Sequence, residues 1–182
     1  MPDLIIVSGP PGAGKTTVAR ALSKRYEPSA LVTGDDFFAF LDQGFVAPWT
    51  AEAHHQNEVV ITAAAAASGR LVDGGFTVVY DGVVGPWFLD TFGAATGLAH
   101  LHYVLLLPSE RTCIDRVRTR SGHGFTDLEA ARHMYRQFAS AAIDDRHVMS
   151  TDAASASLAA SIHDRVRDGS LRWSVGATSS ST

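Results

Sequence analysis

An α/β fold, with a parallel sheet covered by helices on both faces, follows from three features of this sequence. Short apolar runs alternate along the chain with stretches of helical pattern. The runs are apolar at nearly every position rather than at alternate ones, as strands buried on both faces must be. The runs also end in Gly9, in Gly34-Asp35-Asp36, in Asp81-Gly82 and at Pro108. Parallel sheets bind ligands at the carboxyl ends of their strands, so these residues are expected on one rim.

The first strand is expected at Asp3 to Val7, and a helix follows to about Tyr26. Between them lies Gly9-Pro10-Pro11-Gly12-Ala13-Gly14-Lys15-Thr16-Thr17. The spacing is that of a P-loop, or Walker A motif, in the strand–loop–helix context the motif requires. Glycines let backbone N–H groups turn inward around an anionic phosphate, and the helix N-terminus adds donors and partial positive charge. Lys15 is suited to the β- and γ-phosphates, and the Thr16 hydroxyl to Mg²⁺.

Pro28 prevents the first helix from continuing. Ala30 to Thr33 is a second strand, and Gly34-Asp35-Asp36-Phe37-Phe38 follows it. Residues 39–50, with Phe40, Phe45 and Trp49, predict an irregular loop or short helix. Ala51 to Ser68 is helical in composition, with Gly69 as its expected stop. Phe76 to Tyr80 is the third strand, and Pro86 to Thr96 a helix ended by Gly97. His100 to Leu107 is the fourth strand. Ser109 is placed to cap a helix to about Arg118, and a glycine-containing loop follows through Phe125. Thr126-Asp127-Leu128-Glu129 reads as a capping box opening a helix to about Ala142. His147 to Thr151 is a weak fifth strand, and a last helix, capped by Asp152, ends near Val166. Residues 1–173 are expected to form one domain, and 174–182 a disordered tail.

The chain's 182 residues suffice for a sizeable core, and its 46% hydrophobic and 19% charged residues are those of an ordinary globular protein. A net charge of −4 does not suggest a nucleic-acid surface. The single cysteine, Cys113, cannot form an internal disulfide. No secretory signal and no apolar run of membrane-spanning length is evident, so a cytoplasmic protein is expected.

Phosphoryl transfer needs a carboxylate for the acceptor hydroxyl's proton and oxygen ligands for Mg²⁺. Asp35 and Asp36 offer both. Adjacent strand residues point to opposite sides, so they are not equivalent. Asp81, ending a buried strand, is a candidate for Mg²⁺, alongside Thr16, and for the acceptor. The residue after it is Gly82 rather than Glu, which argues against a motor ATPase. Arg116, Arg118 and Arg120 flank the glycine-containing loop, where a closing lid would bring positive charge to the phosphates. Arg132 and Arg136 repeat the same spacing; pairing with Asp115, Asp127 and Glu129 is the alternative for any of these arginines. Phe37, Trp49 and His54, with Phe40 and His55 near them, are candidates for an acceptor pocket.

The P-loop, the Gly34-Asp35-Asp36-Phe37 stretch and the arginines from Arg116 onward resemble the small P-loop kinases of the adenylate-kinase-like group. Chloramphenicol phosphotransferase-like enzymes, zeta-toxin kinases, and gluconate and shikimate kinases are the most similar members. The resemblance implies a three-layer α/β/α P-loop NTPase fold, with a five-stranded parallel sheet in the order 2-3-1-4-5 and a short lid at about 116–126. It implies Asp35 as catalytic base and Arg116 or Arg120 as lid arginine. Phe37-Phe38 stands where zeta toxins usually carry a basic residue.

The expected activity is transfer of the γ-phosphoryl group of ATP, with Mg²⁺, to a hydroxyl of a small molecule, an antibiotic or a metabolite. Catalysis would rest on Asp35, Lys15, Arg116 and Arg120, with Thr16, Asp36 and Asp81 as metal ligands. A nucleotide-binding switch or accessory ATPase with a protein partner is the alternative from another class, and a zeta-toxin-like nucleotide-sugar kinase the alternative among enzymes. Neither nucleic acid nor membrane is an expected partner, and the protein is expected as a monomer or homodimer.

Overall fold

The computed structural model describes residues 2–119, 127–150 and 153–176. Among the described residues, five strands of the sheet run parallel: β1 (Leu4–Ser8), β2 (Ser29–Thr33), β3 (Thr77–Asp81), β4 (His100–Leu106) and β5 (Val148–Met149). Their order is β2-β3-β1-β4-β5, as the family resemblance implied. In register, Val7 and Thr33 both pair with Asp81, and Ser8 pairs with Leu105. The strand ends therefore lie along one rim.

Alternate residues of β1 supply the two cores. Leu4 and Ile6 join Val78, Tyr80, Leu101 and Tyr103 beneath α3 (His54–Asp73) and α4 (Pro86–Thr96). Ile5 and Val7 join Val79 and Val104 beneath α1 (Lys15–Ser23) and α7 (Ser155–Arg167). Both faces of each central strand are thus buried, which is why its sequence is a continuous apolar run.

Local chemistry sets most element boundaries. Gly14 enters α1 at φ 93°, a conformation a side chain would strain. Pro86 opens α4, and Gly97 closes it in the left-handed region. The Ser109 hydroxyl accepts from Thr112 N at 3.2 Å at the start of α5 (Glu110–Thr119). Asp127 caps α6 (Leu128–Ala139), accepting from Glu129 N and Ala130 N. Thr126 and Asp152 lie outside the described residues.

Several expectations are corrected. Residues 34–38 form a short helix, α2 (Gly34–Phe38), and Ala51–Ala53 a 3₁₀ turn before α3. Gly69 does not stop α3, which continues to Asp73. Its place is a helix crossing: a Cβ there would lie 2.0 Å from the Thr96 carbonyl oxygen. The fifth strand is two residues long and pairs only with Leu105 and Leu106. A sixth strand, β6 (Arg172–Ser174), therefore finds the lower edge of β4 open and pairs antiparallel with His100, Leu101 and His102. The described chain continues to Gly176, with Val175 packed on Gly93. Among the described residues, no helix is long and apolar enough to cross a membrane.

Candidate active site

The P-loop is held from two sides. A Cβ on Gly9 would meet the Leu106 carbonyl oxygen at 2.3 Å, and one on Gly12 the Cys113 carbonyl oxygen at 2.2 Å. Both glycines also have positive φ, 149° and 80°. Strand β4 and helix α5 thus press on a backbone that only glycine fits. Ala13 N donates to the Pro10 carbonyl at 3.1 Å, tightening the turn. Lys15 Nζ donates to the Pro10 carbonyl at 3.1 Å, folded back over the loop it serves. Arg116 Nη1 donates to the Gly12 carbonyl at 3.3 Å, so α5 supplies a guanidinium against the loop. Pro11, Thr16 and Thr17 complete the motif: Pro11 and Thr16 face one cavity and Thr17 another.

The larger cavity, about 900 Å³, opens between the P-loop, α2, α3, α4 and α6. Gly12, Lys15, Thr16, Asp35 and Asp81 form its polar floor. Asp81 is 4% exposed. Burial pushes its carboxyl above the usual range, opposed by a hydrogen bond with Thr16 and by the charge of Lys15. A buried carboxylate whose charge is incompletely compensated, bonded to a P-loop hydroxyl, is a donor set that fits a hard divalent cation. Among the described residues, no group of three or more His, Cys, Asp or Glu side chains forms a separate metal site.

Asp35 lies at the start of α2, on the cavity, where β2 ends beside Asp81. Its neighbour Asp36 is exposed and does not line the cavity. The two are separated because α2 is helical, so successive side chains point about 100° apart. Phe37 turns into the core and packs edge-on against Phe40 at 5.5 Å, while Phe38 lines the cavity in its place. Trp49 and His54 line it, and the His54 ring stacks on Phe88 at 5.3 Å.

A smaller hollow of about 270 Å³ lies on the other side of the P-loop. Ala13, Gly14, Thr17, Arg116, Thr119 and the start of α7 line it. The P-loop thus separates two spaces, with Arg116 beside the smaller. Arg118 pairs with Asp115 at 3.4 Å, and Arg132 with Glu129 at 2.5 Å, so both belong to charged helix faces. Arg120 lies outside the described residues, as does most of the expected lid.

Sequence reasoning missed the far walls of the large cavity. Tyr80 stands between the strand-end loops: its hydroxyl would lie 2.5 Å from a Cβ on Gly34. Val83 and Gly85 come from the β3–α4 connection, Trp87 and Phe88 from the first turn of α4, and His133, Met134 and Gln137 from α6. The aromatic pair after Pro86 was a readable signal, since bulky residues at a helix start beside a strand end face the rim. The α6 residues carried none. The β3–α4 connection is itself clamped: the Ser8 hydroxyl donates to the Val84 carbonyl at 2.7 Å and accepts from Val84 N at 3.0 Å. The Tyr103 hydroxyl donates to the same carbonyl at 2.8 Å.

A family model described as an AAA domain matches residues 5–154. No curated protein matches the sequence. Among solved structures, the chain is similar to the Deinococcus radiodurans tunicamycin resistance protein, with 17% identity, TM-score 0.66, and coverage of 91% of this chain and 96% of that one. It is similar to a Janibacter sugar kinase at 16% identity and TM-score 0.68, covering 92% and 95% of the two chains. An Acinetobacter baumannii shikimate kinase matches at 18% identity and TM-score 0.56, over 94% and 96%. At these identities the likeness is one of fold, which this chain shares with those proteins.

Proposed function

The chain belongs to this AAA domain family, and on that premise we propose that it is an ATP-dependent phosphotransferase acting on a hydroxyl of a small molecule. One observation carries the reading. Lys15, Thr16, Asp81 and Asp35 line a single cavity of about 900 Å³, far larger than a phosphate group needs. A cavity of that size beside a P-loop provides for a second substrate.

In this reading, P-loop amides and Lys15 hold the β- and γ-phosphates, and Arg116, already against Gly12, adds positive charge at their side. Thr16 and Asp81 would hold Mg²⁺, which supplies charge neutralisation to the transferring phosphoryl group. The acceptor hydroxyl lies between Asp35 and the γ-phosphorus. Its oxygen forms the new P–O bond, its proton passes to the Asp35 carboxylate, and the bond to the β-phosphate oxygen breaks with ADP keeping the electron pair. Asp35 serves as base and not Asp36, because Asp35 shares the cavity with Lys15. Positioning two reactants in one enclosed space accounts for much of the rate.

The test is a mass-resolved screen of hydroxyl-bearing metabolites and antibiotics with ATP and Mg²⁺, repeated with Asp35→Asn. The variant is expected to keep nucleotide affinity and to lose at least ~10²-fold in transfer rate, the usual contribution of a positioned base. Wild-type transfer by Asp35→Asn would remove the base assignment. ATP hydrolysis with no phosphorylated product across the screen would favour a nucleotide switch.

A further inference from the structure

The acceptor cavity differs sharply between its floor and its walls. The floor carries Asp35, Asp81 and Lys15, and Lys15 belongs to the P-loop. Among the described residues, the walls carry no arginine and no second lysine. They include Phe38, Phe45, Trp49, Trp87, Phe88 and Met134, with Asn57 and Gln137 as amide groups and His54 and His133 as imidazoles. Three of these aromatic side chains line the cavity while staying well exposed: Phe45 at 51%, Trp49 at 37% and Trp87 at 47%. Isolated exposed aromatics are ordinary, but several converging on a concave site mark a binding surface. The segment bearing Phe45 and Trp49 is also anchored in place. Gln56 bonds both Val46 N, at 2.8 Å, and the Val46 carbonyl, at 2.7 Å, and Asn57 Nδ2 donates to the Pro48 carbonyl at 2.7 Å. The apolar wall is therefore held in shape before any ligand arrives.

A small acid such as a sugar carboxylate would meet two carboxylates on the floor and no guanidinium on the walls. It would also leave most of a 900 Å³ space to water and leave the exposed aromatic side chains uncovered. A drug-sized body fills a cavity of this volume and gains from burying apolar surface. We infer that the acceptor is a bulky alcohol without negative charge, whose ring-bearing or aliphatic body lies on the Phe45–Trp49–Trp87 wall while its hydroxyl faces Asp35. This rests on the phosphotransferase reading and narrows its substrate class.

The experiment compares 1-naphthylethanol, gluconate and shikimate on the full chain. Binding is read by intrinsic fluorescence, since Trp49 and Trp87 line the cavity, and transfer by phosphorylated product with ATP and Mg²⁺. Naphthylethanol is expected to half-saturate the fluorescence change at a concentration at least tenfold below either acid. Phe45→Arg puts a cation at an exposed wall position. It should raise the naphthylethanol value at least tenfold and lower that of gluconate, with ATP affinity unchanged as the check on folding; Phe45→Ala should shift naphthylethanol in the same direction without helping gluconate. Tighter binding or faster phosphorylation of gluconate or shikimate by the wild type would overturn the inference and leave the kinase reading standing. Naphthylethanol binding at the wall, with no alcohol in any panel phosphorylated, would support the wall and count against the kinase reading. No binding of naphthylethanol up to its solubility limit would overturn the inference.

Discussion

Ser8 offers a sharp test of how the wall of the large cavity is held. It is fully buried, as is Val84. Its hydroxyl makes two bonds to one residue, donating to the Val84 carbonyl and accepting from the Val84 amide. Ser8→Ala removes both. The carbonyl keeps the Tyr103 hydroxyl at 2.8 Å. The amide keeps nothing and is left as a buried unsatisfied donor, which costs about 1–3 kcal/mol. Tyr103→Phe removes one bond from the same carbonyl but orphans no protein group, because Ser8 still serves it; the expected loss is about 0.5–1.5 kcal/mol. For a domain of this size, 1 kcal/mol moves the melting temperature by roughly 2–4 °C. Ser8→Ala is therefore expected to lower Tm by about 4–8 °C, and Tyr103→Phe by about half as much. Scanning calorimetry measures both, and amide exchange across residues 82–88 should quicken in Ser8→Ala before the core opens. An equal or larger Tm loss in Tyr103→Phe would refute the reasoning, since the orphaned amide would then not be the dominant cost.

Two further outcomes follow from the same geometry. Burial raises the Asp81 carboxyl above its usual range, so its stabilising contribution is complete below the unfolded carboxyl pKa and lost as pH rises through the folded one. Asp81→Asn should accordingly raise Tm at neutral pH without ligand, lower the Tm gain on adding Mg²⁺ and ATP, and steepen the acid limb of the stability profile, because the wild-type carboxyl gains stability as pH falls. A Tm at or below wild type without ligand would contradict this account of the buried charge. Gly69→Ala places a Cβ 2.0 Å from the Thr96 carbonyl oxygen. The α3–α4 crossing must then widen, at a cost of about 1–3 kcal/mol despite alanine's better helix propensity. Urea denaturation of the variant would read it, and unchanged stability would show that the crossing is not close-packed.

Sequence reading reached the elements whose signals are local. The P-loop could be placed because its glycines, lysine and threonine act through their own backbone and immediate neighbours. Pro86 and Gly97 bound α4 for the same reason. Gly69 was misjudged because a helix-stop glycine and a crossing glycine look alike in one dimension; the Thr96 backbone that decides between them is distant in sequence. β6 was missed because its partner edge exists only where the two-residue β5 leaves β4 unpaired. Asp35 and Asp36 could be named together but not separated, since their directions depend on whether residues 34–38 are strand or helix.

The sequence by itself determined a parallel α/β sheet, a phosphate-binding loop and a row of strand-end carboxylates on one rim. These follow from periodicity, backbone chemistry and the common direction of parallel strands. Tertiary structure decided that Asp35 shares a cavity with Lys15 while Asp36 does not, that Arg116 lies against Gly12, and that this cavity has aromatic walls from α2, residues 39–50 and the start of α4 around an acidic floor. A cavity is a property of facing surfaces drawn from separated segments. No local pattern in any one of them specifies what stands opposite.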